Sequence, residues 1–453
     1  MKKQTSSKLK KLAVHFIVFS LLTVFLGKAF FVSSDYIYLY AYGVSVTLVL
    51  LVTFFVAIWK YEDPAELAQA KIGAGIEAFE EPLVTCLVSV YNEEEFVGRC
   101  LDSLLNQTYQ NRELIIVNDG SSDGTKERLE AYQEHDGVTI LNLESNLGKK
   151  RALAEALLIA RGEILAFTDS DSIWHPDVLQ TIVPIFQADP AVGGVSGHGR
   201  ALNADDNLLT KVQDSWYEGQ FAIRKAFESV FGAVTCLSGP LAVMRREAIF
   251  NYIPAWSGDT FLGDEFKFST DRTLTGFLLG QTTIGNDLKK RYADSEFVIR
   301  QNYPAYDWKV VYTKAAKSWT IVPNTFARMI HQQIRWKKSF IRNIFFTGSF
   351  YWKKPFLPSL FYYLHVLFVL VGPLIAFRHL VYLPLRGDPW SIAIYLAGIV
   401  YIGLLFGIAY KLENPKCTIW IYRPIMSLLS TLCLSWLIFY SAATIKKMTW
   451  TRG

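Results

Sequence analysis

Residues 164–177 read Ile-Leu-Ala-Phe-Thr-Asp-Ser-Asp-Ser-Ile-Trp-His-Pro-Asp, a short apolar run that ends in two carboxylates, Asp169 and Asp171. Such a run is typical of a parallel strand covered on both faces, and open α/β sheets bind their ligands at the carboxyl ends of their strands. Two carboxylates one residue apart repel each other unless a cation lies between them. Mg²⁺ or Mn²⁺ carrying a diphosphate would remove that repulsion. A solvated acidic turn is the alternative, because Asp and Ser favour turns.

Three similar apolar runs precede this one, at residues 83–90, 113–117 and 138–143, and each is followed by a polar loop and a helical pattern. Strands that alternate with helices at this spacing predict βαβ units and a parallel sheet whose polar loops share one edge. The predicted fold class is therefore α/β with a parallel-rich sheet.

The predicted loops offer groups that a nucleotide can use. Asp119 can accept a hydrogen bond from a base N–H, and Lys149, Lys150 and Arg151 carry charge that attracts phosphates. Turn chemistry and a helix cap are the simpler explanation for each loop alone, but recurrence at successive strand ends favours a nucleotide. The sequence has no Gly-x-Gly-x-x-Gly after a strand and no Walker lysine loop, which argues against a dinucleotide cofactor.

The two ends of the chain are too apolar for an ordinary soluble protein, and 51% of the 453 residues are hydrophobic. Residues 12–31 and 36–59 are each long enough for the ~20 residues that cross a bilayer, and they predict a transmembrane hairpin. Lysines precede the first segment, which predicts a cytoplasmic N-terminus. A cleaved signal peptide is the rival interpretation, but its apolar region would be shorter and would not be followed at once by a second span.

Three further apolar segments lie at residues 358–377, 390–410 and 419–444. Three crossings would leave the C-terminus outside, whereas the tail 446–453 is basic. The last segment is interrupted by Arg423-Pro424 and is rich in Ser and Thr, which predicts an interfacial or re-entrant helix. The sequence therefore predicts a multi-pass protein with four crossings and a cytoplasmic C-terminus.

Cysteine content and net charge argue against two other kinds of site. The five cysteines are odd in number and lack the close spacing of zinc ligands, so we interpret them as reduced and structural. The formal net charge of +5 is modest and owes much to the N-terminal lysines. It indicates membrane topology and contact with anionic lipid, and we expect no nucleic acid partner.

Asp271 is a further carboxylate that starts a helical pattern. A carboxylate held within reach of a hydroxyl can accelerate a reaction by ~10²–10⁴-fold by taking its proton. The alternative is a helix cap before the following Arg-Thr-Leu-Thr.

Gln332, Arg335 and Trp336 fall at i, i+3 and i+4, so they share one face of a predicted helix and can converge on one ligand. Arg335 offers a fork of donors to a diphosphate, and Trp336 offers an apolar floor for a sugar ring. The alternative is an amphipathic helix at the membrane surface, which the basic residues in 337–342 support.

These stretches together resemble the ordered signature of processive family 2 inverting glycosyltransferases. The segments that carry it are Val88–Glu93, Asn118–Ser121, Asp169–Asp171 and Gln332–Trp336. Within that family, three more segments are similar to those of class I hyaluronan synthases: Cys236–Glu247, Asp271–Thr275 and Trp450–Gly453. The resemblance covers nearly the whole chain. It implies a GT-A type nucleotide-sugar-binding domain embedded between transmembrane helices.

The resemblance also implies a role for individual residues. Asp271 would be catalytic, and Asp171 would bind Mg²⁺ or Mn²⁺. The UDP-sugar would be bound by Val90, Tyr91, Glu93, Asp119, Lys149, Asp169, Asp171, Gln332, Arg335 and Trp336. The acceptor would be bound by Ser238, Gly239, Pro240 and Trp336. Gating would fall to Trp450, Thr451 and Arg452.

The sequence departs from the family pattern in three places, which weaken the prediction of which sugar is used more than the prediction of the reaction type. Ser269-Thr270 stands where the family usually shows another acid before the catalytic Asp. The tail lacks a glycine between Trp450 and Thr451, and the segment 281–307 is longer than expected.

These observations predict five regions: 1–59, a basic segment and transmembrane hairpin; 60–323, a cytoplasmic GT-A domain; 324–357, interfacial helices; 358–445, transmembrane and interfacial helices; 446–453, a gating tail. The leading hypothesis is a plasma-membrane enzyme that polymerises UDP-sugars, such as UDP-GlcNAc and UDP-GlcA, onto a growing polysaccharide and translocates it. A chitin-type or capsular synthase and a single-addition, lipid-linked glycosyltransferase are the alternatives. A channel or scaffold with a degenerate domain is disfavoured because every expected acid is present.

Overall fold

The computed structural model describes residue 15 and residues 17–27, 37–75, 80–414 and 416–448. The strands in this part of the chain are β1 Val84–Val90, β2 Arg112–Asn118, β3 Val138–Asn142, β4 Ile164–Asp169, β5 Ser172–Trp174, β6 Val192–Ala201, β7 Ala242–Arg245, β8 Thr260–Phe261, β9 Asp264–Glu265 and β10 Lys309–Thr320.

The α-helices alternate with these strands in the middle of the chain and dominate its ends. They are α1 Ile17–Gly27, α2 Ile37–Trp59, α3 Pro64–Gly73, α4 Val97–Leu105, α5 Thr125–Glu130, α6 Lys149–Ile159, α7 Val178–Ala188, α8 Leu208–Gly219, α9 Ala226–Val230, α10 Arg246–Ile249, α11 Ile253–Ser257, α12 Thr270–Leu279, α13 Asn286–Arg291, α14 Glu296–Ile299, α15 Phe326–Phe346, α16 Phe356–Phe377, α17 Leu383–Leu385, α18 Trp390–Glu413, α19 Arg423–Leu429 and α20 Leu437–Ala443.

One mixed sheet of eight strands organises the middle of the chain, in the order β3-β2-β1-β4-β7-β6-β10-β5. β3, β2, β1 and β4 are parallel, β7 is antiparallel to both of its neighbours, and β10 pairs parallel with β6. The four predicted strands are confirmed, and with them the α/β class and the parallel-rich sheet. The short hairpin β8–β9 lies apart from this sheet.

The sheet is covered on both faces, as the apolar sequence of its strands requires. All seven residues of β1 are buried. On one face Val88 packs in a cluster with residues of α4 and α7. On the other, Leu87 belongs to a larger cluster that also contains Phe54 of α2 and Leu405 of α18. The sheet and the apolar helices therefore share one continuous core.

In the part of the chain that the structure describes, three helices are long and apolar enough to span a membrane: α2, α16 with its extension to Leu385, and α18. They coincide with predicted segments 36–59, 358–377 and 390–410. The segment 419–444 forms two helical pieces, Ile419–Leu434 and Leu437–Ala443, bent by 41°. This bend has the form of a broken span or a re-entrant loop, whereas the sequence predicts an interfacial or re-entrant helix. Of the first predicted span, the structure describes the apolar helix α1.

Candidate active site

The carboxyl edge of the parallel strands opens into a cavity of about 1420 Å³. The strand register brings the loops together there: Ser89 is level with Asp169, and Val90 is level with Asn118. This part of the cavity, which we call the sheet end, is lined by residues at the ends of β1, β2 and β4 and by the first residue of α6: Ser89, Tyr91, Glu93, Asp119, Asp169, Ser170, Asp171 and Lys149.

The loops after β1 and β2 hold each other in place. Asn92 has a φ of 54°, in the left-handed region that asparagine tolerates better than most residues. Its backbone N–H donates to Ser121 Oγ at 3.0 Å, and its side-chain oxygen accepts from the Ser122 N–H at 2.8 Å. The Glu93 N–H donates to Thr125 Oγ1 at 2.8 Å. Glu93 is thereby fixed at the cavity wall.

Asp119 is buried and shapes the neighbouring loop. Its carboxylate accepts the backbone N–H groups of Leu147 at 2.7 Å and Gly148 at 2.9 Å. Burial raises its pKa, against the lowering effect of these two hydrogen bonds. A carboxylate has about four lone-pair sites, so Asp119 can still accept from a ligand in the cavity.

Asp169 pairs with Lys149, the first residue of α6. Burial would lower the lysine pKa, but the charge of Asp169 and its hydrogen bond outweigh this effect and raise it, so Lys149 is an ammonium at neutral pH. The Asp169 carboxylate also fills the space beside Gly239: a Cβ built there would lie 2.5 Å from Asp169 Oδ2. Only glycine allows this close approach.

Asp171 lies where β4 and β5 meet the end of β10. Its Oδ1 accepts hydrogen bonds from Thr320 Oγ1 at 3.1 Å and from Ser172 Oγ at 3.4 Å. Asp169 thus pairs with a lysine, and Asp171 accepts hydrogen bonds from two hydroxyl groups. Within the described ranges, no group of three or more His, Cys, Asp or Glu side chains could hold a metal ion alone.

Lys150 and Arg151, which were predicted to attract phosphate together with Lys149, point elsewhere. Lys150 is buried and pairs with Asp259 at 2.9 Å, and Arg151 pairs with Glu265 at 3.2 Å. The Asp259 carboxylate also forms a salt bridge with Arg342 of α15, at 2.6 Å. Of the three basic residues, only Lys149 lines the cavity.

The remaining polar lining of the cavity comes from helices and from the segment between α9 and β7, and we call this part the helix end. It is lined by Arg224, Lys225, Cys236, Ser238, Gly239, Pro240, Asp271, Arg272, Gln332, Arg335 and Trp336. Residues 224 and 225 were missed in the sequence, since nothing distinguishes them from solvated charges at a helix end.

Asp271 is the second residue of α12, whose N-cap is Ser269, so the predicted alternative of a helix cap is not what the fold uses. Its Oδ1 accepts the Arg272 N–H at 2.8 Å, and its Oδ2 accepts from the Cys236 thiol at 3.3 Å. Burial and the charge of Asp271 raise the pKa of Cys236 to about 12, which keeps this thiol protonated and able to donate. The carboxylate is oriented from two sides and still lines the cavity.

The segment Ser238–Pro240 crosses between the two ends. The Pro240 carbonyl accepts from Thr168 Oγ1 at 3.0 Å and from Trp174 Nε1 at 2.7 Å, which fixes the segment to β4 and β5. Ser238 accepts a hydrogen bond from Lys225 Nζ at 2.6 Å. All three residues of the segment line the cavity.

Gln332, Arg335 and Trp336 share one face of α15, as their spacing predicts, and all three line the cavity. The Trp336 ring stacks on Trp216 with centroids 5.4 Å apart and planes at 19°. Gln332 Oε1 is buried, and it has no hydrogen-bond partner in the part of the chain that the structure describes. A buried acceptor of this kind is expected to be satisfied by a ligand or by water.

The basic residues beside this motif do not form a lipid-facing row, so the support they gave to the alternative of a surface helix is wrong. Lys337 lines the cavity. Lys338 donates to the Lys447 carbonyl at 2.6 Å, and Arg342 belongs to the buried group around Asp259.

The cavity continues from Asp271 into the apolar helices. Its lining includes Tyr42 of α2, Phe368 and Pro373 of α16, and Tyr395 of α18. Tyr42 lies seventeen residues before the end of α2 at Trp59, about 25 Å along the helix axis. The cavity therefore reaches far from the sheet, along helices long enough to cross a membrane.

Two groups of predicted residues do not appear in this lining. The Val90 side chain is fully buried in the core, and its carbonyl accepts the Asp119 N–H at 2.8 Å. Trp450, Thr451 and Arg452 lie outside the described residues. The tail up to Met448 is described: Met448 lines the cavity, and Lys446 pairs with Asp264 at 3.1 Å.

Comparison with known proteins agrees with this geometry. Residues 85–252 match the family described as Glycosyl transferase family 2. A hyaluronan synthase from Streptococcus pyogenes is 28% identical over 375 residues, which cover 81% of this chain and 82% of the synthase. An N-acetylglucosaminyltransferase from Rhizobium leguminosarum bv. viciae is 29% identical over 59% of this chain and 58% of that protein.

Among solved structures, the mannosyltransferase PcManGT from Pyrobaculum calidifontis, in complex with GDP-Man and Mn²⁺, is 21% identical, with a TM-score of 0.46 over 93% of this chain and 99% of that chain. The matched family, the mixed parallel-rich sheet and the three apolar helices point to the same assignment. Residues 85–252 therefore form a glycosyltransferase family 2 domain on a GT-A type sheet, in a chain that is similar to hyaluronan synthases and whose described part has three helices apolar enough to span a membrane.

Proposed function

We propose that this protein is a processive, inverting β-glycosyltransferase that polymerises UDP-sugars and passes the polysaccharide across the plasma membrane. The observation that carries the proposal is the continuity of the cavity. One space contains the acids of the sheet end, Asp271 and the aromatic residues Tyr42 and Tyr395 of the apolar helices. A single-addition enzyme has no need for such a path.

The sheet end suits a nucleoside diphosphate. Glu93 and Asp119 offer carboxylates near the loops that would hold the nucleotide, together with Tyr91. Lys149 and Arg335 both line the cavity and would bind the diphosphate, the lysine as a point charge and the arginine as a fork of donors. Gln332 has an unsatisfied buried oxygen that a hydroxyl of the donor can satisfy.

A divalent cation fits Asp169 and Asp171 when the diphosphate is present. Mg²⁺ and Mn²⁺ commonly take one or two carboxylates together with substrate phosphates, and the two acids alone are too few for a complete site. Asp171, which lines the cavity and is the metal ligand that the family resemblance implies, would bind this ion directly. When bound, the ion would neutralise charge on the departing diphosphate.

Asp271 would act as the general base. It would take the proton from the acceptor hydroxyl as that oxygen bonds to the anomeric carbon, while the bond to UDP breaks on the opposite face of the sugar. Two hydrogen bonds orient its carboxylate toward this task. Ser238–Pro240 and Trp336 would hold the acceptor, and stacking on Trp216 keeps the Trp336 ring in place as a floor for a sugar.

The identity of the product is tested with purified protein in lipid nanodiscs. Single and paired radiolabelled UDP-sugars are supplied, and the product is digested with linkage-specific hydrolases. We expect polymer only from UDP-GlcNAc with UDP-GlcA, sensitive to hyaluronan lyase. Polymer from UDP-GlcNAc alone would identify a chitin-type synthase, other pairs a capsular synthase, and a single sugar on a lipid would reject processivity.

We further propose that the catalytic domain and the C-terminus are cytoplasmic, with four crossings by α1, α2, α16 and α18 and with residues 419–443 re-entrant. The 41° bend in that last segment supports this topology. A Thr451→Cys variant in a cysteine-free background tests it. We expect no reaction with an impermeant thiol reagent outside intact cells, and labelling from outside rejects the topology.

A further inference from the structure

A π-helical segment, Gln220–Lys225, lies between α8 and α9. Such widened turns are rare and are found mostly at functional sites. Gln220, Phe221, Arg224 and Lys225 of this segment all line the cavity. Two adjacent basic residues of this π-helical turn, Arg224 and Lys225, thus line the helix end of the cavity. On the surface of an ordinary helix, such residues would be solvated.

The ammonium group of Lys225 is fully engaged. Its Nζ donates to Ser196 Oγ at 2.7 Å and to Ser238 Oγ at 2.6 Å, and it lies 4.2 Å from the centroid of the Phe221 ring. An ammonium group has three donors and no acceptor, so these three contacts account for all of its hydrogens. Lys225 is therefore held in one orientation.

Keeping this charge inside the protein costs free energy. Lys225 is 7% exposed, and burial is the main reason that its pKa is lowered to about 8. A methionine of similar length would fill the same space without a charge to desolvate. Packing alone therefore does not explain a lysine here, and its hydrogen bonds must matter.

The two serines that accept from Lys225 differ in what they can donate. The Ser196 hydroxyl donates to the Gly197 carbonyl at 3.2 Å. For the Ser238 hydroxyl, residues 80–414 and the rest of the described chain supply no acceptor. Since its oxygen already accepts from the Lys225 ammonium group, the Ser238 hydrogen is left to point into the cavity that this residue lines.

Ser238 stands between the two groups that would perform the reaction. Its neighbour Gly239 abuts the Asp169 carboxylate, and Cys236, two residues earlier, contacts Asp271. A sugar whose hydroxyl approaches Asp271 would thus lie against Ser238.

We propose that Lys225 is a positioning residue that fixes the Ser238 hydroxyl as a hydrogen-bond donor to an oxygen of the acceptor sugar. This inference rests on the proposed function, since it needs a sugar acceptor at the helix end. It assigns a role to a side chain that would not touch the acceptor and would act only through Ser238.

The experiment uses full-length protein in nanodiscs and compares Lys225→Met, Lys225→Arg, Ser238→Ala and the Lys225→Met/Ser238→Ala double variant. Lys126→Met, which removes an exposed lysine, is the control. Tetrasaccharides of hyaluronan and of chitin serve as acceptors. The measurements are the acceptor KM, the UDP dissociation constant, and the ratio of sugar transferred to UDP released.

We expect Lys225→Met to raise the acceptor KM roughly tenfold, the order of a lost charge-assisted hydrogen bond, with UDP affinity unchanged. Less sugar should be transferred per UDP released. Lys225→Arg should restore the KM to near the wild-type value, and the double variant should be no worse than Ser238→Ala, because both changes remove the same interaction.

Additive losses in the double variant, or an unchanged acceptor KM in Lys225→Met, would overturn the inference. If Lys225→Met does not fold, Ser238→Ala decides alone, because Lys225 is intact there: an unchanged acceptor KM rejects the role of Ser238 and with it that of Lys225. A wild-type protein that transfers no sugar from any UDP-sugar pair defeats the proposed function and this inference together. Normal wild-type transfer with an unchanged KM in the variants defeats only this inference.

Discussion

The sheet end and the helix end of the cavity are built in different ways. At the sheet end, Asp119 directly follows strand β2 and Asp169 ends the parallel strand β4, so the local sequence determines their position. At the helix end, Lys225, Ser238 and Asp271 come from separate elements and meet only because those elements pack together. The first arrangement is suited to a fixed ligand such as a nucleotide. The second contacts the apolar helices and is suited to a ligand that must move on.

The Asp271→Asn variant distinguishes most clearly between the roles of the two ends of the cavity. If the helix end does the chemistry and the sheet end binds the nucleotide, this change should lower kcat by ~10²-fold or more and leave UDP affinity nearly unchanged. Radiolabelled sugar incorporation and UDP binding by calorimetry measure the two effects. Asp294→Asn, at an exposed aspartate, is the control. Retention of more than about a tenth of the activity would assign the base to another residue.

Asp171→Ala tests the opposite end. We expect UDP affinity to fall roughly 10–100-fold and the dependence on Mn²⁺ to disappear, because a metal that needs both a carboxylate and the diphosphate loses one of them. Mn²⁺ should bind the wild-type protein tightly only when UDP is present. Asp177→Ala alters an exposed carboxylate beyond β5 and should change neither quantity. An unchanged Mn²⁺ titration in Asp171→Ala rules out this metal ligand.

The contrast between the two ends of the cavity also explains which site residues can be predicted from the sequence. The apolar strand runs and the Asp169-Ser170-Asp171 motif predict the residues of the sheet end, because a buried strand and the loop after it are contiguous in the chain. The pairing of Lys150 with Asp259 is not visible, since the partner is about a hundred residues away and Lys150 looks like its neighbour Lys149. Local pattern alone does not say which of two adjacent lysines faces a ligand.

At the helix end, periodicity and family resemblance predict Asp271 and the face of α15, but not Lys225. A helical pattern continues through residues 208–230, and no residue in it indicates that residues 220–225 form a π-helical turn. The inward direction of Lys337 and Lys338 likewise depends on the cavity and on the tail, and both are long-range features. Residues placed by packing between distant elements are the ones that the sequence does not predict.

A smaller effect is expected from the tail, which approaches both ends. Lys446 pairs with Asp264 of the β9 hairpin, and Met448 lines the cavity. Deleting residues 450–453 should leave a folded protein that binds UDP, with polymer per mole of protein lowered about tenfold and more UDP hydrolysed without transfer, because an open site admits water.

If Trp450 is only a membrane anchor, the deletion should instead lower expression and leave normal specific activity in the protein that inserts. Removal of Gly453 alone is the matched control. Polymer yield and UDP release are measured per mole of monodisperse protein, and a wild-type yield in the deletion variant rejects gating.

The most subtle contrast between the two ends is their response to pH. Lys225 faces Cys236, Asp271 and Glu228, which favour its charged form, and Arg272, which opposes it, yet burial dominates and lowers its pKa to about 8. At the sheet end, the pairing with Asp169 raises the pKa of Lys149. As pH rises through about 8, the helix end should therefore lose its ammonium group before the sheet end does.

We predict that wild-type transfer at a subsaturating acceptor concentration falls by about half near pH 8, while UDP affinity stays constant, because the neutral amine no longer forces Ser238 to donate. Lys225→Arg should remove this decline, since a guanidinium stays charged throughout the range. Deprotonation of Lys225 cannot lower the activity by unfolding the protein. Its pKa is lower in the folded protein than in the unfolded chain, so the folded state binds fewer protons between the two values, and its contribution to stability rises with pH there. A fall in activity that accompanies a fall in melting temperature, or one that persists in Lys225→Arg, would trace the alkaline limit to another group.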